Sequence, residues 1–290
     1  MRSTGLSQHG EMLVLNVAPG CEYFVSPVEG TRSKSENLSC KFCTYGLPDQ
    51  RLKALGQELF QIGLPEQTYE RVIEACLDPD TQARQLYLVG GSMTSPEAEG
   101  ERFVQIAKAL NKAGLCDRYY VACGSGAIPK HHMEQMKALG VRGACFNLEV
   151  WDPEAFKRIC PGKDKWVGRK AWLRALEDAV EVFGHNQVMT AFVGGIELEG
   201  EEAMTPDEAL TSAIEAGEYL IPRGIQVVYS LYWRTTGKNR GEEPVYTLPL
   251  FLQINEALAK IRRREKMQMN TNFLNKRGAY MQLEPDYDGA

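Results

Sequence analysis

Met12–Val17 (MLVLNV) is a short apolar run, and Ala18-Pro19-Gly20-Cys21 follows it at once. Six residues rich in Leu and Val, closed by Pro and Gly, read as a strand buried on both faces. Five further runs of the same kind follow: Gln85–Val89 (QLYLV), Arg118–Ala122 (RYYVA), Ala144–Leu148 (ACFNL), Gln187–Phe192 (QVMTAF) and Ile225–Leu231 (IQVVYSL). Longer segments of helical period separate them. Glu66–Leu77 starts behind Pro65, and Ser95–Asn111 opens with Ser-Pro. Lys130–Leu139 and Gly168–Phe183 run up to Gly140 and Gly184. Thr205–Leu220 begins with a capping-box spelling, and Leu248–Met267 closes the series.

Six strands, each followed by a helix, predict an α/β fold with a parallel sheet wound in one direction. Six units are too few for an eight-fold barrel. The expectation is therefore a partial (β/α)6 TIM barrel over residues 1–267, with 268–290 as a C-terminal tail covering the barrel mouth. The 290 residues match about two domains of ordinary size or one α/β barrel, and the alternation favours the barrel.

Composition narrows the function classes. Hydrophobic content of 43% excludes a disordered chain. No apolar window reaches the roughly 18 residues of a membrane span. Met1–Glu11 is polar and has no apolar leader core, so a cytoplasmic protein is expected. The net charge of −5 (33 basic, 38 acidic) argues against a nucleic-acid partner. The basic run Lys260–Lys266 (KIRRREK) reads as a solvated helix face.

In such folds the chemistry follows the C-terminal ends of the strands. The loop after the first strand carries Cys21, Cys40 and Cys43, spaced Cys-x18-Cys-x2-Cys. A Cys-x2-Cys pair lets two thiolates reach one centre from a tight turn, and Cys21 makes a third ligand. Structural zinc usually takes four protein ligands, whereas three with an open position suit a [4Fe–4S] cluster. Strand two ends Gly90-Gly91-Ser92, strand four runs into Asn147-Leu148-Glu149, and strand five ends Gly194-Gly195-Ile196. Gly124-Ser125-Gly126 follows strand three, without a full phosphate-binding fingerprint.

The cysteine loop with its Cys-aromatic-Cys ending resembles the radical S-adenosylmethionine (radical SAM) superfamily, over roughly Met12–Leu231. The usual spacing there is Cys-x3-Cys-x2-Cys. Here the first gap is eighteen residues, and Glu36 stands where the first cysteine would fall. The resemblance implies a biotin- or lipoyl-synthase-like barrel with a [4Fe–4S] cluster on Cys21, Cys40 and Cys43 and with S-adenosylmethionine as co-substrate.

It further implies that Gly90, Gly91 and Ser92 approach the methionine amino group, and that Asn147 and Glu149 bind the ribose hydroxyls or that amino group. Gly195 and Ile196 would contact adenine, with Phe42 and Tyr45 flanking it. Arg169 or Arg174 would hold the carboxylate. A reductase such as flavodoxin or ferredoxin would supply an electron. The resulting 5′-deoxyadenosyl radical would abstract hydrogen from a small-molecule substrate, leading to rearrangement, cleavage or cyclisation in cofactor or secondary-metabolite biosynthesis.

Two alternatives remain at this point. One is lipoyl-synthase-like sulfur insertion with an auxiliary cluster on Cys123, Cys145 and Cys160. The other is a non-catalytic zinc or iron–sulfur protein. Cys76 and Cys116 read as buried hydrophobes. Tyr229, Tyr232, Trp233 and Arg234, near strand six, either face the substrate or pack. His9, His131, His132 and His185 lie far from the motif loops and are assigned no ligand role.

Overall fold

In the computed structural model, residues 6–18, 20–28, 34–43, 66–232, 247–268, 270 and 272 are described. The chain opens with a hairpin, β1 (Leu6–His9) and β2 (Met12–Ala18), turning at Gly10 with φ 61°. A second, minimal pair, β3 (Ser26–Pro27) and β4 (Ser35–Glu36), lies inside the loop after β2. Then come α1 (Glu66–Leu77), β5 (Gln85–Gly90), α2 (Pro96–Lys112), the short α3 (Leu115–Arg118) and β6 (Tyr120–Gly124). They are followed by α4 (Lys130–Ala138), β7 (Gly143–Cys145), α5 (Pro153–Ile159), α6 (Pro161–Trp166), α7 (Arg169–Phe183), β8 (Val188–Gly194), α8 (Pro206–Leu220), β9 (Ile225–Leu231) and α9 (Thr247–Arg264).

The main sheet has the order β1-β2-β5-β6-β7-β8-β9. From β2 to β9 every pairing is parallel and every neighbour follows in chain order. This is the one-way winding that the strand–helix alternation predicts. Among the described residues, β9 does not pair back to the first strands, so the sheet stays open. β1 covers the outer edge of β2 as an antiparallel strand, an element with no counterpart in the sequence reading.

Several boundaries follow directly from local chemistry. Ser95 Oγ accepts the Ala98 N–H ahead of Pro96 and starts α2. Thr205 and Glu208 form the full capping box that starts α8.

Two strands differ from expectation. Arg118 belongs to α3, not to β6, and its guanidinium donates to the Leu77 and Asp78 carbonyls at 3.0 and 2.8 Å. Capping the end of α1 holds it out of the sheet. β7 stops at Cys145 rather than Leu148, because side chains take over its ladder. Leu148 N–H goes to Thr190 Oγ1 at 2.9 Å, and Asn147 Oδ1 accepts the Ala191 N–H at 3.2 Å.

Each of the six parallel strands, β2 and β5 to β9, buries residues on both faces, which is why the runs lack alternation. One face meets the helices, with Leu15, Leu86, Leu88, Phe103, Phe146 and Trp172 buried there. The other encloses a smaller cluster of Met12, Tyr87, Ala122, Cys145, Met189 and Val228.

Below that cluster, at the N-terminal ends of the strands, Asn270 donates to Gln187 Oε1, Tyr120 Oη and the Asn186 carbonyl at 3.1, 3.3 and 2.9 Å. The described residues of the tail thus lie at the end opposite the mouth, and 273–290 are outside the described residues. In the basic run Lys260, Arg263 and Arg264 are exposed as expected, but Arg262 is buried.

Candidate active site

At the C-terminal ends of the strands lies a cavity of about 580 Å³. Nine of the residues singled out by sequence line it together: Cys21, Cys40, Cys43, Phe42, Gly90, Gly91, Ser92, Asn147 and Glu149.

The cysteine loop is docked on two sides. Glu22 N–H donates to the Ser92 carbonyl at 2.9 Å, and the Thr94 N–H and hydroxyl both donate to Glu22 Oε2. Gly91 makes this approach possible: a Cβ there would sit 2.0 Å from the Gly20 carbonyl oxygen. On the other side Lys41 N–H donates to the Ile159 carbonyl and Gly162 N–H to the Leu38 carbonyl, both at 2.9 Å. Tyr23 and Gly162 touch closely enough that a Cβ at Gly162 would meet the Tyr23 ring at 2.6 Å.

The sulfurs sit in different electrostatic surroundings. Burial pushes the Cys21 thiol up to about 12, against the opposing effect of the Tyr23 and Ser92 backbone N–H groups hydrogen-bonded to it. The Cys40 thiol is held down, first by a hydrogen bond from Cys160, against burial, with the Lys163 ammonium adding to the effect.

Tetrahedral zinc, with Zn–S near 2.3 Å, would need sulfurs roughly 3.8 Å apart. Among the described residues no three cysteine sulfurs lie within 4.8 Å of one another. A donor set of soft thiols spread along one wall fits a cluster better than a single ion. Cys123, Cys145 and Cys160 are not brought together: Cys145 lines the cavity, Cys160 sits beside Cys40, and Cys123 is buried in the helix-side core.

Asn147, Glu149 and Lys163 give the same cavity a polar wall near Cys40. Asn147 Oδ1 accepts from the Cys145 thiol and the Ala191 N–H, and the residue lines the cavity. Glu149 has φ 72°, an uncommon conformation for a residue with a side chain. It is held there by its N–H to the Ala191 carbonyl and its own carbonyl accepting from Val193 N–H, both at 2.9 Å.

Lys163, which the sequence reading missed, is the one cation lining the cavity among the described residues. Its Nζ donates to Glu149 Oε1 at 2.9 Å and to the Asn147 carbonyl, and lies 4.5 Å from the Trp172 ring centroid. Burial alone would lower its pKa, but Glu149 and the neighbouring sulfurs outweigh that and hold it charged.

The two arginines lie elsewhere. Arg169 Nε donates to the Trp151 carbonyl at 2.9 Å and its guanidinium stacks on that ring, while Arg174 is exposed on α7. β8 faces the cavity through Ala191 and Val193, and Gly195 and Ile196 lie just beyond the strand, with Ile196 buried. Ser125, Ser230 and Tyr232 line the cavity, whereas Tyr229 stacks on Phe192 in the core. Tyr45, Trp233 and Arg234 are outside the described residues.

No family model matches the chain. It is 28% identical over 165 residues to the bacteriochlorophyllide c C-7(1)-hydroxylase of Chlorobaculum limnaeum, covering 53% of this chain and 40% of that protein. The chain thus spans well under two thirds of that relative's length. Among solved structures, methylornithine synthase (PylB) superposes with a TM-score of 0.55 at 11% identity, over 96% of this chain and 76% of that one. The FeFe-hydrogenase maturase HydG from Carboxydothermus hydrogenoformans also gives 0.55, at 14% identity, over 88% and 52%. At 11–14% identity these likenesses show the fold: a parallel sheet wound one way with helices outside, as in those two structures.

Proposed function

We propose that Cys21, Cys40 and Cys43 hold a [4Fe–4S] cluster, and that the cavity beside them takes S-adenosylmethionine and a small-molecule substrate. When bound, these groups supply a 5′-deoxyadenosyl radical that removes a hydrogen atom from the substrate. The observation that carries the reading is the convergence of three thiols, the Gly90-Gly91-Ser92 turn and the Asn147/Glu149 wall on one cavity.

In this reading each wall has its own task. The Gly90-Gly91-Ser92 backbone offers close approach to the methionine amino group. Asn147 Nδ2 donates, and Glu149 Oε2 accepts, at ribose hydroxyls or at an ammonium. Lys163 pairs with Glu149 and orients its carboxylate toward the cavity. Lys163, which lines the cavity, replaces Arg169 and Arg174 as the charge complement of the co-substrate's carboxylate end. Phe42 flanks the adenine. Val89, Ala191, Val193 and Tyr232 line the same cavity and keep water from a reactive carbon. A reductase of the flavodoxin or ferredoxin class delivers the electron. The hydroxylase relative supports C–H functionalisation of a small molecule as the reaction class.

Anaerobic reconstitution tests this. About four irons and four sulfides per chain are expected, with 5′-deoxyadenosine released on adding S-adenosylmethionine and dithionite. C40S and C43S abolish that release, while C76A, altered in the helix-side core, does not. Bound zinc without sulfide, or undiminished release in C43S, overturns the reading.

A further inference from the structure

A second cluster of ligating side chains stands apart from the cavity, where α2 and α4 begin side by side. Glu97 and Glu101 lie one turn apart on α2, and His131 and His132 lie in the first turn of α4. One ligand atom from each of Glu97, His131 and His132 lies within 4.8 Å of the others. His131 Nε2 is 3.4 Å, and His132 Nδ1 3.7 Å, from Glu97 Oε2.

Three observations make this more than a surface charge group. His132 is 4% exposed, and its Nδ1 is buried with no hydrogen-bond partner. A buried imidazole nitrogen left unpaired is costly, and natural structures rarely keep one without a reason. The other ring nitrogen, Nε2, is 3.8 Å from Glu101 Oε2. A carboxylate on that side favours the Nε2–H tautomer, which leaves Nδ1, 3.7 Å from Glu97 Oε2, as the unprotonated nitrogen. Finally, Gly100 makes room for the ring: a Cβ there would meet Nδ1 at 2.3 Å. A glycine inside a helix costs about 1 kcal/mol relative to alanine, and here the space is filled by His132.

We propose that Glu97, His131 and His132 form a site for a divalent cation of the zinc class, with Glu101 orienting His132 from behind. Two imidazoles and one carboxylate are the donor set such borderline ions take, with a fourth position open to water. Both helix N-termini point positive ends at the site, which opposes a cation. The two carboxylates of α2 offset this. The ion would tie α2, which follows β5, to α4, which follows β6. On the same turn of α2, Glu99 accepts the Met93 and Gly126 N–H groups at 2.9 and 2.6 Å, so the tie would brace the loops that follow both strands. This inference does not depend on the radical reading.

The test titrates the protein anaerobically with Zn2+, with Cys21, Cys40 and Cys43 either loaded with a cluster or all replaced by alanine, and follows it by histidine-selective NMR. The chain has four histidines. Saturation at one equivalent is expected, moving the His131 and His132 signals and leaving His9 and His185 in place. E97Q and H131Q should weaken binding at least tenfold, and E101Q by about 10- to 100-fold. Iron content should not change in any of them. Equal movement of all four histidines, or H131Q binding Zn2+ as the parent does, overturns the site.

Discussion

Lys163 Nζ stands 2.9 Å from Glu149 Oε1, and the two side chains are only 8% and 13% exposed. A pair this dry is asymmetric in its energetics. Removing one partner strands the other's charge, at about 3–5 kcal/mol, whereas removing both costs much less. K163M is therefore expected to lower unfolding stability by about that amount, and K163M/E149Q by clearly less. Urea denaturation of the two variants checks this; equal losses would show that the pair is not coupled.

Gly91 sets how closely the cysteine loop approaches the sheet. An alanine Cβ would lie 2.0 Å from the Gly20 oxygen and 2.7 Å from Cys21 Cα, both backbone atoms that cannot swing aside. G91A should displace Cys21 and reduce reconstituted iron to less than half. G90A, whose nearest contact is the Ala18 Cβ at 3.0 Å, should do so much less. Iron and sulfide per chain are the readout.

Glu197 follows β8 and is 3% exposed, and burial raises its pKa from 4.5 to about 7 even though the backbone N–H of Gly195 donates to it. A folded-state value above the unfolded one means the native chain holds the proton longer. Stability from this group is therefore full below about pH 4.5 and is lost as pH climbs toward 7. E197Q should flatten that decline and leave the variant more stable at pH 8, by up to about 3 kcal/mol. Thermal unfolding of both proteins from pH 5 to 8 decides it; parallel curves would contradict the assignment.

With the cluster proposed above in place, Cys160 would reach it through Cys40 rather than as a ligand. Its thiol hydrogen-bonds the Cys40 sulfur. Hydrogen bonds to cluster sulfurs stabilise the more negative, reduced state. C160A is expected to keep its iron and shift the cluster potential downward, on the order of tens of millivolts, in a redox titration. Loss of iron instead would make Cys160 a ligand.

The barrel was legible because each buried strand announced itself as a short apolar run, and Gly and Pro marked the ends. Ile225–Leu231 and Glu66–Leu77 match to the residue. β7 was overread because Thr190 and Asn147 replace its ladder, and such a substitution leaves no periodic trace. The polar hairpin strand β1 was missed for a related reason: Ser7, Gln8 and His9 are exposed and carry no apolar pattern.

The cysteines and the Gly-Gly and Asn-x-Glu strand ends were legible because position after a strand implies position at the mouth. Lys163 was not, since it arrives on α6, a six-residue helix between larger elements. Its one signal was Pro161 after Cys160, a first-turn proline that starts α6. His131 and His132 were set aside on chain distance, which says nothing about which helices start side by side.

Asn270, hydrogen-bonded to Tyr120, Asn186 and Gln187, clasps the starts of β6 and β8 together from far along the chain. The clasp lies beneath the packed layer of Met12, Tyr87 and Cys145, so apolar side chains seal the underside of the sheet and one amide pins it. A chain cut short before Asn270 would keep that seal and lose the pin, and faster hydrogen exchange at the starts of β6 and β8 would be its signature.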